Sequence, residues 1–275
     1  MPTTKVVVLG VGGRMGQQIA NAALDDRRHD LCGATLRPDH EHVGRDIGEL
    51  LHRGSISITA SATLEQALAS ADENTVVVDF TLPHLCCAHA QYVAQAGLPL
   101  VIGTTGLDDD ALAALQRASE EIPVLLASNT SLGANLLAHA VSMVAGALNS
   151  ADVEVDAEIV EFHHRMKRDA PSGTALMLGE AIADARGATL DEWRVTERTG
   201  DAPRINGDIG IFGVRGGTVP GEHTAYFFLD DERIELTHRV SDRRVFATGA
   251  LTAARFLRGK PAGQYGMKNV LGLQD

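Results

Sequence analysis

Tryptophan occurs once in this chain of 275 residues, aromatic side chains amount to 4%, and there are only three cysteines. Cys32, Cys86 and Cys87 are odd in number and none stands in a C-x-x-C spacing, which excludes a disulfide framework and the common zinc and redox motifs. The adjacent pair cannot form an unstrained disulfide with each other, so buried, reduced thiols are expected. Positive charge is short as well: 24 Lys and Arg against 36 Asp and Glu leave a formal net charge of −12. A general binder of nucleic acid or anionic membrane needs the opposite excess to neutralise phosphate, so neither partner is expected. No run of about 20 apolar residues is present to span a bilayer. The start "MPTTKVVVLG" passes directly into a strand pattern, without the charged and apolar regions of a signal peptide, and a cytoplasmic location is expected. Low-complexity and Pro-rich tracts are missing too. With 44% hydrophobic residues and 28 glycines, the composition is that of a folded α/β protein long enough for two modest domains.

What is present has a clear rhythm. Apolar runs at 5–10, 31–36, 55–60, 75–80, 99–104 and 123–128 read as strands, and amphipathic stretches at 14–24, 64–71, 84–96 and 108–118 read as helices between them. Strands apolar throughout and separated by helices predict a parallel sheet covered on both faces, a doubly wound domain of Rossmann type. After Asn129 the pattern changes to a long helix, "SLGANLLAHAVSMVAGAL", and then to the alternating run "DVEVDAEIVEFHH". Three more strand candidates follow, "DIGIFGVRGG", "HTAYFFLD" and "RIELTHRV", predicting a second α+β domain with a mixed or antiparallel sheet. The helical period of "RRVFATGALTAARFLRGK" suggests a return to the first domain. The expected division is therefore 1–131 with 241–275, and 132–240 for substrate binding and oligomerisation.

Two segments carry chemistry. "VVVLGVGGRMGQQIANAAL" is a strand, a glycine turn and a helix, with Gly10, Gly13 and Gly16 in a G-x-x-G-x-x-G pattern and an extra Gly12. Glycines allow positive φ and close backbone approach, and the helix start offers N–H groups and a positive dipole end to a pyrophosphate. A turn that merely packs is the plainer alternative. The second strand ends "ATLRPDH", so Arg37 stands where an NAD-preferring protein carries an acidic ribose ligand. Arg37 can stack on adenine or pair with a 2′-phosphate, with Arg14 adding charge; as a solvated arginine it would leave Asp39 or Glu41 to the ribose. NADPH is expected to serve at least as well as NADH. "DFTLP" (79–83), "IGTTG" (102–106) and "ASNTS" (127–131) fall at carboxyl ends of predicted parallel strands, where a cofactor crevice forms, although each also suits an ordinary turn or cap.

The other segment is "EFHHRMKRDAPSGTALMLGE" (161–180). Neighbours on a strand diverge, so His163 and His164 cannot chelate one metal ion from one side, and no further ligand has the right spacing; no metal is expected. Anion binding is favoured by Arg165, Lys167 and Arg168 and by a helix starting at "PSGT", where Pro171 suits the first turn, Ser172 or Thr174 can cap, and Gly173 permits close approach. Proton transfer is the other reading, since a histidine and a lysine four residues apart can face one ligand.

"GVGGRMG", "IGTTG" and above all "EIVEFHHRMKRDAPSGTA" resemble the signatures of the 4-hydroxy-tetrahydrodipicolinate (dihydrodipicolinate) reductase family of bacterial lysine and diaminopimelate synthesis. The resemblance continues through "GEHTAYF" (221–227) to "GMKNVLGL" (266–273), essentially the whole chain. It implies NAD(P)H-dependent reduction of a small dicarboxylate, with His163 as proton donor and acceptor and Lys167 as second proton donor. His164 and Ser172 become substrate contacts, and Gly173 and Thr174 hold a substrate carboxylate. The nucleotide contacts fall on Gly10, Val11, Gly12, Gly13, Arg14 and Met15, on Gly103, Thr104 and Thr105, and on Ala127, Ser128, Asn129 and Thr130. Arg37, where many relatives are acidic, favours NADPH. The family's usual assembly is a homotetramer. Another NAD(P)-dependent dehydrogenase on the same architecture, or a nucleotide sensor, would share the glycine turn but has no need of the histidine segment.

Overall fold

The computed structural model of the chain describes residues 3–151 and 154–273. It divides into two compact units, Met1–Ser131 with Arg244–Asp275, and Leu132–Arg243. In chain order the first stretch carries β1 (Thr4–Leu9), α1 (Arg14–Asp25), β2 (His29–Thr35), α2 (Ile47–Leu50), β3 (Ala60–Ser61), α3 (Leu64–Ala67), β4 (Thr75–Asp79), α4 (Cys86–Gln95), β5 (Leu100–Ile102), α5 (Asp109–Ser119) and β6 (Pro123–Leu126). The middle stretch carries α6 (Leu132–Ser150), β7 (Asp156–His163), α7 (Gly173–Ala185), α8 (Leu190–Trp193), β8 (Arg194–Val195), β9 (Ile209–Arg215), β10 (Glu222–Phe228) and β11 (Arg233–Arg239). The chain then returns to the first unit as α9 (Arg244–Leu257), β12 (Gly263–Tyr265) and α10 (Met267–Leu271).

In the first unit the seven strands run parallel in the order β12-β6-β5-β4-β1-β2-β3. Apolar runs form its centre because both faces are covered: Val6 to Leu9, Val76 to Val78 and Leu100 to Ile102 are all fully buried. α5 shows how a helix here is bounded. Asp108 caps it by accepting from Ala111 N–H, Asp109 and Asp110 sit in its first turn and Arg117 in its last, all favourable to the helix dipole.

Three local expectations fail, each for a visible reason. The run 55–60 is not a strand beyond Ala60: Ser55 Oγ, Ile56 N and Ser57 N donate to the Asp46 carboxylate at 2.7, 3.0 and 2.7 Å, diverting donors that a strand would use. The helix at 64–71 stops after one turn, because Asp72 gathers Asn74 N–H and Thr75 Oγ1 into a tight turn ahead of β4. The helix at 84–96 is split into a 3-10 turn, Pro83–Leu85, and α4. Of the cysteines, all free, only Cys86 is buried; Cys32 and Cys87 are half-buried.

The second unit has a mixed five-stranded sheet in the order β11-β10-β7-β9-β8, with β10 antiparallel to both neighbours and β9 parallel to β7 and β8. The period of two in β7 buries Ala157, Ile159, Glu161 and His163 and turns Phe162 outward. α6 and α7 pack over the buried face through Leu137, Val141, Leu178 and Ile182. By length and composition α6 would be long enough to cross a membrane, which the sequence reading did not anticipate; here its Leu137–Val141–Ala145 stripe is part of that core. The first two residues of the expected strand "DVEVDAEIVEFHH" lie outside the described residues.

Candidate active site

The glycine turn is shaped by what cannot fit. Gly10 has φ +72°, and a Cβ there would stand 2.7 Å from Thr81 Cγ2; a Cβ at Gly16 would stand 2.3 Å from the Gly10 carbonyl oxygen. The helix start that results is bare. α1 has Gly13 as N-cap, no side-chain cap and no acidic residue in its first turn, so its leading N–H groups and dipole end suit a pyrophosphate. Val11 is buried and its N–H bonds Thr35 O at 2.9 Å, Arg14 is exposed at the first helical position, and Met15 is half-buried. Leu36 and His40 close over Gly12, where a Cβ would meet them at 2.9 and 3.3 Å. His40 is a residue the sequence did not single out. Arg37 lies just past β2, exposed, and paired with Asp39 at 3.1 Å.

The next loops follow β4, β5 and β6. Asp79 is fully buried and accepts from Thr81 N at 2.8 Å and His89 Nδ1 at 2.7 Å, while its own carbonyl takes Gly103 N–H. Gly103 underlies the Phe80 ring, leaving no room for a side chain, and Thr104 donates to Thr81 O at 3.3 Å. Thr105 and Ser128 are exposed, Ala127 is buried, and Asn129 caps its own turn by accepting from Ser131 N. Thr130 faces the other way. It is 2% exposed and its hydroxyl donates to Phe246 O at 2.7 Å, so only its backbone can face a cofactor.

The histidine segment is built at the carboxyl end of β7. His163, the last strand residue, is 8% exposed, and its Nδ1 lies 2.5 Å from Oε2 of Glu161, two residues earlier on the same face. Burial alone would raise the Glu161 carboxyl, but hydrogen bonds and charge from His163 and Arg215 outweigh it and bring it down to about 2. The ionised carboxylate can only accept, so Nδ1 of His163 carries the hydrogen and Nε2 is the ring nitrogen left for other partners. Gly221 stands against that nitrogen, where a Cβ would come within 3.0 Å.

His164 follows the strand and turns elsewhere: its Nε2 accepts from Arg243 Nη2 at 2.7 Å. Partial burial and the charge of Arg243 hold its imidazole below the usual value. A tight turn, with Lys167 N–H on His164 O, then brings Lys167 Nζ to 2.9 Å from the Asp169 carboxylate, which the hydrogen bond from Lys167 holds below its ordinary range. α7 begins at Gly173 with Ser172 as N-cap, so Pro171 stands before the cap rather than in the first turn, and Thr174 is the second helical residue. Ser172 is 2% exposed, and its hydroxyl accepts from Ala175 N at 3.2 Å and meets His223 Nε2 at 2.9 Å. Its hydroxyl is thus engaged with partners inside the protein, and Gly173 is the exposed residue of that helix start. Burial and the neighbouring His163 push His223 down to about 3, so it is neutral, edge-on to His163 at 5.1 Å between ring centres. Among the described residues no group of three or more His, Cys, Asp or Glu is placed to hold a metal ion.

Family models place this geometry. One described as dihydrodipicolinate reductase, N-terminus, matches residues 4–130, and one described as dihydrodipicolinate reductase, C-terminus, matches 133–271. The chain belongs to the dihydrodipicolinate reductase family. The dihydrodipicolinate reductase N-terminal model covers the glycine turn and all three later loops, and the C-terminal model covers the whole His163 network. The latter also spans α9 and β12, which in space complete the first unit. Among relatives, the 4-hydroxy-tetrahydrodipicolinate reductase of Rubrobacter xylanophilus is 44% identical over 97% of this chain and 98% of its own length. That of Rhodopseudomonas palustris is 44% identical over the full length of both. A dipicolinate-bound dihydrodipicolinate reductase from Paenisporosarcina sp. TG-14 has the same fold, with a TM-score of 0.75, 23% identity and coverage of 96% of this chain and 97% of that one. As in the rest of the dihydrodipicolinate reductase family, the amino-terminal domain is an NAD(P)-binding Rossmann domain and the chain is an oxidoreductase.

Proposed function

We propose that this chain reduces 4-hydroxy-tetrahydrodipicolinate to tetrahydrodipicolinate, with His163 and Lys167 handling the protons. The observation that carries the reading is His163: buried at the end of β7, one ring nitrogen held by an ionised carboxylate, the other facing away from it, in one hydrogen-bond network with the α7 start. NADPH or NADH, when bound, supplies the hydride. The conjugated cyclic imine left by loss of water from the ring takes it, and the electron density displaced through the conjugated system is quenched by one proton. With a hydrogen on each ring nitrogen, His163 gives that proton from Nε2 and is left as the Nδ1–H tautomer held by Glu161; Lys167, in the turn that follows, is the second candidate donor. One ring carboxylate lies at the N-terminal end of α7 on Gly173 and Thr174, where N–H groups and the dipole favour an anion; His164 with Arg243 meets the other.

For the cofactor, the backbone of Gly10 to Gly16 takes the pyrophosphate, and the 103–105 and 127–130 loops line the nicotinamide end. Arg37 recognises a 2′-phosphate in place of Asp39, which gives NADPH the advantage. The second sheet supports a homotetramer: helices cover one face, while Phe162, Val214, Tyr226 and Phe228 lie on the other with no covering helix among the described residues. Such a face suits sheet-to-sheet contact between copies. A cytoplasmic location accords with a small-molecule biosynthetic role.

The test is NADPH oxidation, followed at its absorbance maximum, with substrate generated in the cuvette by the synthase that condenses its precursors. Rapid synthase-dependent oxidation is expected. No oxidation with either nicotinamide, by protein that binds both, would overturn the assignment in favour of a dehydrogenase of another class.

A further inference from the structure

Glu161 holds His163 by its carboxylate, and its acceptor capacity is used up. Oε2 takes His163 Nδ1 at 2.5 Å and Arg215 Nη1 at 2.7 Å; Oε1 takes Arg215 Nη2 at 2.7 Å and Ser172 N–H at 3.1 Å. Two donors on each oxygen fill the four lone-pair directions of a carboxylate. With 0% exposure, Glu161 can touch neither substrate nor water. Its surroundings are arranged to let this happen. Gly213 lies opposite Glu161 on β9, and a Cβ there would stand 2.9 Å from Oε1 and 3.2 Å from Arg215 Nη1, inside the Arg215–Glu161 fork. Arg215 Nη2 also donates to Asp169 O at 2.6 Å, so the same guanidinium anchors the turn that carries Lys167.

Building on the reading of His163 as the proton donor, we propose that Glu161 is a positioning residue: clamped by Arg215, it keeps a hydrogen on His163 Nδ1, so that Nε2, turned to the substrate, is the nitrogen that gives up its proton and the Nδ1–H tautomer is what remains. One side chain thereby sets the proton donor and the α7 start in a common frame, through His163 on one oxygen and Ser172 N–H on the other. A glutamine in its place presents an amide instead. Arg215, the stronger donor, claims the amide oxygen and leaves the NH2 group facing Nδ1, which forces the imidazole into the opposite tautomer or out of place. Among the described residues, the hydrogen bond recorded at His163 Nδ1 is the one to Glu161.

The experiment compares full-length wild type with Glu161→Gln, Glu161→Asp and His163→Gln. Each is assayed for kcat, KM, NADPH affinity and the ¹⁵N-histidine tautomer signals, His163 being assigned by its loss in His163→Gln. In Glu161→Gln, kcat is expected to fall about 10–100-fold, the size typical of lost outer-shell partners of a functional histidine. KM and NADPH affinity should stay within about threefold, an equal shift in both states being what a mere binding change would give, and the Nδ1–H signal should vanish. Glu161→Asp should recover part of the rate and the signal. Unchanged kcat in folded Glu161→Gln, or equal loss in Glu161→Asp and Glu161→Gln together with lost NADPH affinity, overturns the proposal. Should Glu161→Gln fail to fold, the wild-type spectrum decides: an Nε2–H tautomer at His163 overturns it and an Nδ1–H tautomer supports it. Full activity in His163→Gln would instead remove the catalytic reading of His163 itself.

Discussion

The starts of α1 and α7 are built by opposite means. At α1 the N-cap is a glycine with no side-chain bond, and the turn before it holds its shape because side chains would collide with backbone. At α7 the cap is a buried serine with a side-chain bond, and the segment before it is held by an ionised glutamate, an arginine fork and two histidines. A sterically defined turn binds through backbone groups, is insensitive to pH, and is damaged by adding atoms. An electrostatically defined one can move protons, depends on pH, and is damaged by removing charge.

Four measurements would break or sharpen that contrast. The largest effect is expected from His163→Gln with Lys167→Met, which should lower turnover by at least about 10³-fold, since each proton-transfer group contributes about 10²–10⁴. NADPH affinity, measured by titration calorimetry, should stay nearly intact, because the glycine turn is untouched. Next comes Arg215→Met, which leaves the buried Glu161 carboxylate without its cation and should cost about 3 kcal/mol in urea unfolding. The same pair sets acid stability. Glu161 is lowered from its ordinary 4.5 to about 2, so the folded state gains stability that is fully present above pH 4.5 and is lost as pH falls toward 2. That contribution, about 3 kcal/mol, should shrink but not vanish in acid unfolding curves of Arg215→Met, where the hydrogen bond from His163 still holds the carboxyl down. Third, Gly16→Ala places a Cβ 2.3 Å from a backbone oxygen and should cost about 2 kcal/mol; NADPH should bind more weakly while the pH profile of turnover keeps its shape. The smallest change is Arg37→Ala, expected to weaken NADPH about tenfold, or about 1.4 kcal/mol, with NADH affinity unchanged; equal loss for both would show that Arg37 stacks rather than reads a phosphate.

How much of this was legible beforehand follows from the same contrast. The glycine turn is local: strand, turn and helix are contiguous, so the G-x-x-G-x-x-G pattern announces both fold and place. The His163 site is legible only along the chain. The period of two puts Glu161 and His163 on one face, a signal that could have singled out Glu161. Arg215 and His223 reach it from β9 and β10, 54 residues from Glu161 and 51 from Ser172, and no periodicity reports which strands will be neighbours. Ser172 reads in sequence both as a cap and as a substrate contact, because a cap residue and an anion ligand look alike there; the structure makes it the N-cap of α7, with its hydroxyl also against His223. The run 55–60 has the composition of a strand, and only the distant Asp46 carboxylate diverts it. The short elements α2, α8, β8 and β12 carry too few residues for any period to show.

The late return of α9 and β12 to the first sheet also bears on how the protein is made. β12 pairs with β6, and α9 packs against β4, β5 and β6. On the ribosome, all of Leu132–Arg243 emerges before either of them is available. During that interval β6 has an open edge and the β4–β6 face lacks its covering helix, a combination that invites pairing with another nascent chain. The inserted unit, whose sheet is contiguous in sequence, can reach its final form first. The nucleotide-binding sheet closes only when the last thirty or so residues arrive, so truncations near the carboxyl terminus strike the amino-terminal domain.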